Sequence, residues 1–433
     1  MRIQSFLLTA VLLSAGLPFA QGLDLPTRNV EDDSSLRLSL RATWFTEAPD
    51  RVLNMKPFIH TLPGGGKVQV RTEAAKDEFM VVLARERNGA YPGWAQGSWI
   101  LTRRRDNGNA SRIRIFLRSD PYTYIQFRPI APDRTMMDVV LYDAYIVRSL
   151  PVPYAIDRLF VIPVEEALAA VGTQFPRAYF DPDPGMYRDL RTFMTLVRQK
   201  LPELTYQDDG AIDAEGNYVY INTLMVQDEQ PGLNCSGFAK WIVDGLLRPF
   251  TGQRLDIPPL KQAFGDRGSS FSAIYESLRD PFFGLDWTRN LASIAKKSLI
   301  TSAFGDLAEI EVRKLPFSWI NQRTKDGTAI RSYPGFLLNA GFSSEGLQPL
   351  LYTLAIDEPG NIYLASVNNE IGTPRLRQHF HVAVLVPYFN EQGTFQIAVF
   401  ESAAETSFNA FKNRYPGHFV NLVRISADSL FDP

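Results

Sequence analysis

Cysteine is almost absent from this chain: Cys235 is the only one in 433 residues. A single thiol excludes an internal disulfide framework and the small stapled folds that need one. Histidine is scarce too, with four residues, so few side chains can act as bases near neutral pH. Neither sign of charge prevails, with 45 Lys and Arg against 47 Asp and Glu. That balance gives no electrostatic reason to expect nucleic acid or an anionic membrane surface as a partner. The chain shows no internal repeat and no low-complexity tract.

What is present is ordinary globular material, 45% hydrophobic and 12% aromatic. The first residues read as a secretory signal peptide over 1–22. Arg2 supplies the positive start, Phe6 to Phe19 the apolar run, and Ala20-Gln21-Gly22 the small residues of a cleavage site. The run is too short to anchor in a bilayer, so no integral membrane segment is expected after its removal. No cysteine lies near the cleavage region, so the exported protein, periplasmic or extracellular, is expected not to be lipid-anchored. In an oxidising compartment an unpaired thiol is a liability, which flags Cys235 as a candidate reactive group. The alternative is a buried, inert cysteine acting as a small hydrophobe.

The remainder, roughly four hundred residues, has room for two or three domains. Residues 23–150 read as mostly β, from about Leu36 onward. The strand segments are Lys67 to Thr72, Phe79 to Ala84, Ser98 to Arg103, Ile113 to Leu117 and Met137 to Val147, divided by turn signals such as Gly64-Gly65-Gly66 and Asp106-Asn107-Gly108. Trp99 to Phe116 reads as a hairpin, and the region as a β-sandwich or a compact antiparallel sheet. Leu150-Pro151-Val152-Pro153 suggests a boundary, making 151–185 a linker with a short helix at Pro163 to Val171. Residues 186–433 open with a helix over Met186 to Leu201 whose Leu190, Phe193, Leu196 and Val197 share a face. Helices are expected at Ser270 to Leu278 and Trp287 to Ile300, then strands at Ile362 to Val367, Phe380 to Val386 and Thr394 to Phe400.

The segment Pro231-Gly232-Leu233-Asn234-Cys235-Ser236-Gly237-Phe238 carries the most chemistry. Asn234 is a good N-cap after two breakers, and Phe238, Trp241, Ile242, Gly245 and Leu246 recur on one helical face until Arg248-Pro249. Cys235 then lies in the first helical turn, where free N–H groups and the helix dipole favour a thiolate. The small Ser236 and Gly237 would let a substrate approach the sulfur. Two of the four histidines, His379 and His381, stand at the head of the apolar strand Val382 to Val386, two residues apart and hence on one side. Either could accept the thiol proton and return it to a leaving group. The next strand ends in Glu401-Ser402, and one residue of register decides which of them would orient the imidazole.

Asn-Cys-Ser-Gly-Phe opening a helix, followed much later by His-Val-Ala-Val heading a strand, resembles the NlpC-type cell-wall cysteine peptidases. That resemblance implies an α+β architecture: a papain-like C-terminal domain behind a mostly antiparallel β domain. It also implies cleavage of amide bonds in peptidoglycan stem peptides, with Cys235 as nucleophile, His381 as base and Glu401 as orienting residue. Its oxyanion-stabilising tyrosine would fall to Tyr218 or Tyr220 in Asn217-Tyr218-Val219-Tyr220-Ile221. The Cys-to-His distance exceeds the family's, so a helical insertion at about 250–350 is expected to cover or shape the cleft.

No cofactor is expected. Cys235, His379 and His381 could bind zinc, but no fourth ligand stands at a recognisable spacing. Pro63-Gly64-Gly65-Gly66-Lys67 lacks the rest of a phosphate loop and reads as a turn. Arg103-Arg104-Arg105 with Arg112, Arg114 and Arg118 reads as a solvated strand face, or else as a patch for anionic wall polymer. His60 and His418 have no partners in the sequence, and Asn109-Ala110-Ser111 fits a glycosylation acceptor. The expected partner is a cell-wall peptide or glycan. Two other functions fit the same residues: a catalytically idle envelope binding or scaffold protein, and a thiol acyltransferase or peptidase acting outside the wall.

Overall fold

The computed structural model describes residues 24–433, apart from 143, 229, 265–279, 300–306, 316–317, 320–321, 324–329, 332–334 and 374. The signal peptide expected over 1–22 and the helix expected at Ser270 to Leu278 lie outside the described residues. The fold is α+β and is dominated by two antiparallel sheets.

The first sheet is a meander. It runs β1 (Phe58–Thr61), β2 (Lys67–Ala74), β3 (Glu78–Arg85), β4 (Trp99–Arg104), β5 (Ala110–Ile115), β6 (Thr123–Ala131), β7 (Arg134–Leu141) and β8 (Ala144–Val152) in spatial as in chain order. It is therefore a single antiparallel sheet, not a sandwich. The β4–β5 hairpin stands where the turn signal puts it, and Gly65, at φ 89°, makes the β1–β2 turn. Met137 to Val147 is two strands, because Tyr142 turns left-handed at φ 47° between β7 and β8. The sequence reading missed β6.

Residues read as the start of the β region form a helix, α1 (Ser34–Thr46), capped by Asp33, whose carboxylate accepts from Leu36 N–H. Leu36, Leu40 and Trp44 recur every four residues and face the core, a helical period that a strand cannot use. After the short α2 (Pro49–Leu53) and the sheet come α3 (Ile156–Val161) and α4 (Val164–Ala169). Arg37, 2% exposed, ties α1 to α3 through the carbonyls of Phe160 and Ile162 and a pair with Asp32.

Residues 151–185 are thus not a linker. β8 runs on through Val152, and Leu159, Phe160, Val164, Leu168, Phe175 and Phe180 fill the same core as Trp44 and Trp99. The arginine run also divides. Arg103 is buried and donates to the carbonyls of Trp44, Glu47 and Gly108, closing the C-terminal end of α1. Arg118 is buried against the Phe180 and Gly393 carbonyls and joins the two units, whereas Arg112 pairs with Glu78 on the outer face.

The second unit starts with α5 (Arg188–Lys200), which buries Leu190, Phe193, Met194 and Val197; Leu196 is only half-buried. A small hairpin, β9 (Gly210–Ile212) with β10 (Tyr218–Tyr220), precedes α6 (Cys235–Thr251). Pro249 does not end α6. The Gly245 carbonyl that its missing N–H leaves free accepts from Asp432 N–H at 2.8 Å, and the helix closes at Gly252, φ 72°. The region 250–350 contributes α7 (Ile257–Leu260), α8 (Phe283–Leu299), α9 (Leu307–Ile310) and short strands β11 (Ser318–Trp319), β12 (Gln322–Arg323), β13 (Ile330–Arg331) and β14 (Phe342–Ser343).

This region builds core: Trp287, Leu291 and Ala295 of α8 pack with α6, and β11 adds to the edge of the first sheet beside β8. After α10 (Leu347–Asp357) come β15 (Asn361–Ile371), β16 (Leu376–Phe389), β17 (Phe395–Glu401), β18 (Ala404–Ser407), α11 (Phe408–Arg414) and β19 (Phe419–Ser426). The second sheet is ordered β14-β19-β15-β16-β17-β18 and is buried on both faces. Leu364, Val382, Val384 and Phe400 face α6 and α8, while Ala365, Ala383, Leu385 and Val399 face α10 and α11.

Candidate active site

Three elements converge where the second sheet opens. β17 pairs with β16 only as far as Val384↔Phe400; it then ends at Glu401 and turns back into β18. That frees the edge of β16 from Ala383 backward. The start of α6 meets this edge and brings the Cys235 sulfur beside the Val382 N–H.

The loop ahead of Cys235 is fixed on two sides. Gln227 accepts from Gly232 N–H at 2.7 Å and donates back to its carbonyl at 3.1 Å, while Leu233 N–H donates to the Thr205 carbonyl. Asn234 caps α6, with its side-chain oxygen accepting from Gly237 N–H at 2.8 Å. Gly237 serves packing, not access to the sulfur: a Cβ there would stand 2.0 Å from the Gly210 carbonyl, so only glycine lets α6 approach β9 so closely. Ser236 is 3% exposed, and its carbonyl accepts from the Trp287 indole. Among the described residues the Cys235 and Ser236 N–H groups have no partner, as the first turn of a helix leaves them.

His381 stands beside the Cys235 thiol and, through Nε2, hydrogen-bonds the Glu401 carboxylate at 2.7 Å. With Nε2 against a carboxylate, the proton belongs on Nε2, and Nδ1 is the nitrogen left for the thiol. Burial alone would raise the thiol pKa. The hydrogen bond and charge of His381, the Val382 N–H and the Ser236 hydroxyl outweigh it and bring the thiol below its ordinary value. Glu401, 4% exposed, gives its other oxygen to Arg414. Ser402 takes no part in this contact: with Ala403 it forms the left-handed turn between β17 and β18, at φ 50° and 63°.

The two histidines do not lie on one side. β16 carries a bulge: Val367 pairs with His381 and Asn368 with His379, so Phe380 is left unpaired. The extra residue turns His379 to the α8 face, where Nδ1 meets the Ser366 hydroxyl at 2.9 Å and Nε2 the Asn339 carbonyl at 2.9 Å. Both nitrogens are engaged there. Burial, reinforced by the charges of Arg289 and Arg377, pushes its pKa down to about 3 even though the Asn339 bond opposes this. His379 is a neutral structural imidazole, and the zinc set of Cys235, His379 and His381 is not assembled. Among the described residues no group of three or more His, Cys, Asp or Glu side chains is disposed to hold a metal ion.

Tyr218 is half-buried, with its hydroxyl pKa raised by burial and by Glu203 against the opposing charge of Arg254. Tyr220 uses its backbone N–H on the Met225 carbonyl. The tyrosine that does feel the thiolate is Tyr415, just beyond α11. Its ring centroid lies 5.6 Å from that of His381, and burial, aided by the Cys235 charge and opposed by Arg414, keeps its hydroxyl protonated. Sequence reasoning missed Tyr415, Arg414 and the Val382 N–H. The one signal for the first two was their place a short helix beyond Glu401. His60 pairs with the helix-capping Asp33 at 3.1 Å, and His418 packs against Tyr415 and Phe380.

Residues 26–179 match the model of a family described as a domain of unknown function (DUF8515). The match spans the first sheet and the helices that complete its core and ends before Cys235. No curated protein and no solved structure matches the chain. Among the described residues no helix is long and apolar enough to cross a membrane.

Proposed function

We propose that the second unit is a cysteine hydrolase of papain-like design that cleaves amide bonds. The observation that carries this reading is a single imidazole that stands beside a thiol and hydrogen-bonds a buried carboxylate at 2.7 Å, with the thiol pKa lowered. The Cys235 thiolate would attack the substrate carbonyl carbon, forming the C–S bond of a tetrahedral intermediate. Its oxyanion would lie against the Cys235 and Ser236 N–H groups. Collapse breaks the C–N bond as protonated His381 gives its proton to the leaving amine. Water, deprotonated by His381, then cleaves the thioester, releasing a carboxylic acid and restoring the thiol. Glu401, held by Arg414, keeps the Nε2–H tautomer in place and steadies the imidazolium.

The substrate class and setting extend that reading. The resemblance of the Asn234-to-Phe238 and His381-to-Val384 segments to NlpC-type peptidases points to peptidoglycan stem peptides. The basic start, apolar run and small residues of 1–22 point to an exported protein. Incubation of purified peptidoglycan with the full chain should release peptide fragments, and Cys235→Ala should release none. Fragments carrying a new acyl partner would assign a transferase instead. Intact peptidoglycan alongside cleavage of other amides would place the substrate outside the wall.

A further inference from the structure

The bulge that separates the two histidines leaves Phe380 facing outward, 40% exposed and directly beside His381. It is not isolated. Its ring lies 6.0 Å from Tyr415 and 5.6 Å from His418, those two lie 5.7 Å apart, and Tyr415 in turn rests 5.6 Å from His381. These are spacings of packed aromatic pairs, so the rings make one continuous surface ending at the candidate base.

The surface is held from behind. Ser344 N–H donates to the His418 carbonyl at 2.9 Å, the Ser344 hydroxyl to the Tyr415 carbonyl at 2.8 Å, and Gly417 N–H to the Glu345 carboxylate at 2.8 Å. The carboxylates at its border are committed, Glu401 to His381 and Arg414, and Glu345 to Ser343 and Gly417. Arg414, paired with Glu401, lies over the Tyr415 ring at 5.5 Å from its centroid, so the surface presents ring faces bordered by one paired guanidinium.

We propose that Phe380, Tyr415 and His418 form the subsite for an apolar, ring-bearing side chain on the amine half of the substrate. The proposal rests on the hydrolase reading of Cys235 and His381, and it favours the amide outside the wall, because peptidoglycan stem peptides carry no ring-bearing side chain. The general acid must reach the leaving nitrogen, so the groups flanking His381 flank the amine half. A ring there would rest against Phe380 and Tyr415 and lose water on the face it lays on them.

Chloroacetamides test this, because the substituent on their nitrogen stands where the amine half would lie. The rates at which N-benzyl and N-methyl chloroacetamide alkylate Cys235 in the full chain are each divided by the rate with free cysteine. The subsite predicts a benzyl-to-methyl ratio of about ten or more, falling toward one in Phe380→Ser. Fast alkylation by both reagents with a ratio near one in the wild-type chain overturns the subsite and leaves the hydrolase reading standing. A high ratio unchanged in both Phe380→Ser and His418→Ala also overturns it. Alkylation no faster than that of free cysteine removes the hydrolase reading, and the subsite with it. The wild-type ratio decides the matter even if a variant fails to fold.

Discussion

The two sheets share an antiparallel topology and differ in what covers them. The nine-stranded sheet packs one face against α1, α3 and α4, while its other face carries mutually paired charges, Arg71 with Glu73, Arg112 with Glu78 and Arg128 with Asp138. The six-stranded sheet is apolar on both faces, so chemistry has to enter at an interruption of its ladder. β16 supplies that interruption twice: β17 leaves it at Val384, and the bulge at Phe380 splits His379 from His381. Polar groups that pair with one another only finish a sheet face. Polar groups gathered at a broken ladder build a reaction site.

The strongest break in this comparison is Cys235→Ala, which should abolish hydrolysis while leaving thermal unfolding close to wild type. An active variant would move the chemistry elsewhere. His381→Ala should slow turnover by about 10²- to 10⁴-fold, the usual worth of a positioned general base. His379→Gln should leave thiol alkylation at neutral pH near wild type. Glu401→Gln keeps the shape but loses the negative charge beside Nε2, so turnover should fall by about tenfold or more, whereas Ser402→Ala should change it little.

On the first sheet only stability should respond. Arg128→Ala strips a partner from Asp138, which is fully buried, and should cost about 1–2 kcal/mol in denaturant unfolding. Arg112→Ala, in a half-exposed pair, should cost less than about 1 kcal/mol, and neither should alter turnover.

A further difference is in pH. His379 is neutral in the fold down to about 3, whereas the unfolded chain takes up that proton near the ordinary histidine value. Its contribution is therefore fully present above about pH 6.5 and is lost as pH falls toward 3, at up to about 1.4 kcal/mol per pH unit. His379→Gln should flatten that part of the stability profile, and an unchanged slope would show that the ring is not held neutral.

Much of the site was legible because its signals are local. Breakers and Asn234 ahead of Cys235 mark a helix start, and an apolar run behind His381 marks a buried strand. What was not legible depends on tertiary partners. A one-residue bulge is invisible in a pattern of alternation, so the two histidines read as sharing a side. Glu401 against Ser402 turned on where β17 ends. Gly237 reads as room for substrate in the sequence because nothing local shows Gly210 against it, and α1 reads as part of the β region because its four-residue stripe is short. Residues 151–185 read as a linker because Pro151 and Pro153 look like breaks, although Pro151 pairs with Met136 inside β8.

The central claim is that His381 and the helix start hold the Cys235 thiol below its ordinary pKa. The most direct measurement is the rate of Cys235 alkylation by iodoacetamide across pH, in the wild-type chain and in His381→Ala. The account predicts a wild-type midpoint below the ordinary thiol value of about 8.5, moving upward in the variant. A wild-type midpoint at or above that value, unchanged on removing His381, would contradict it.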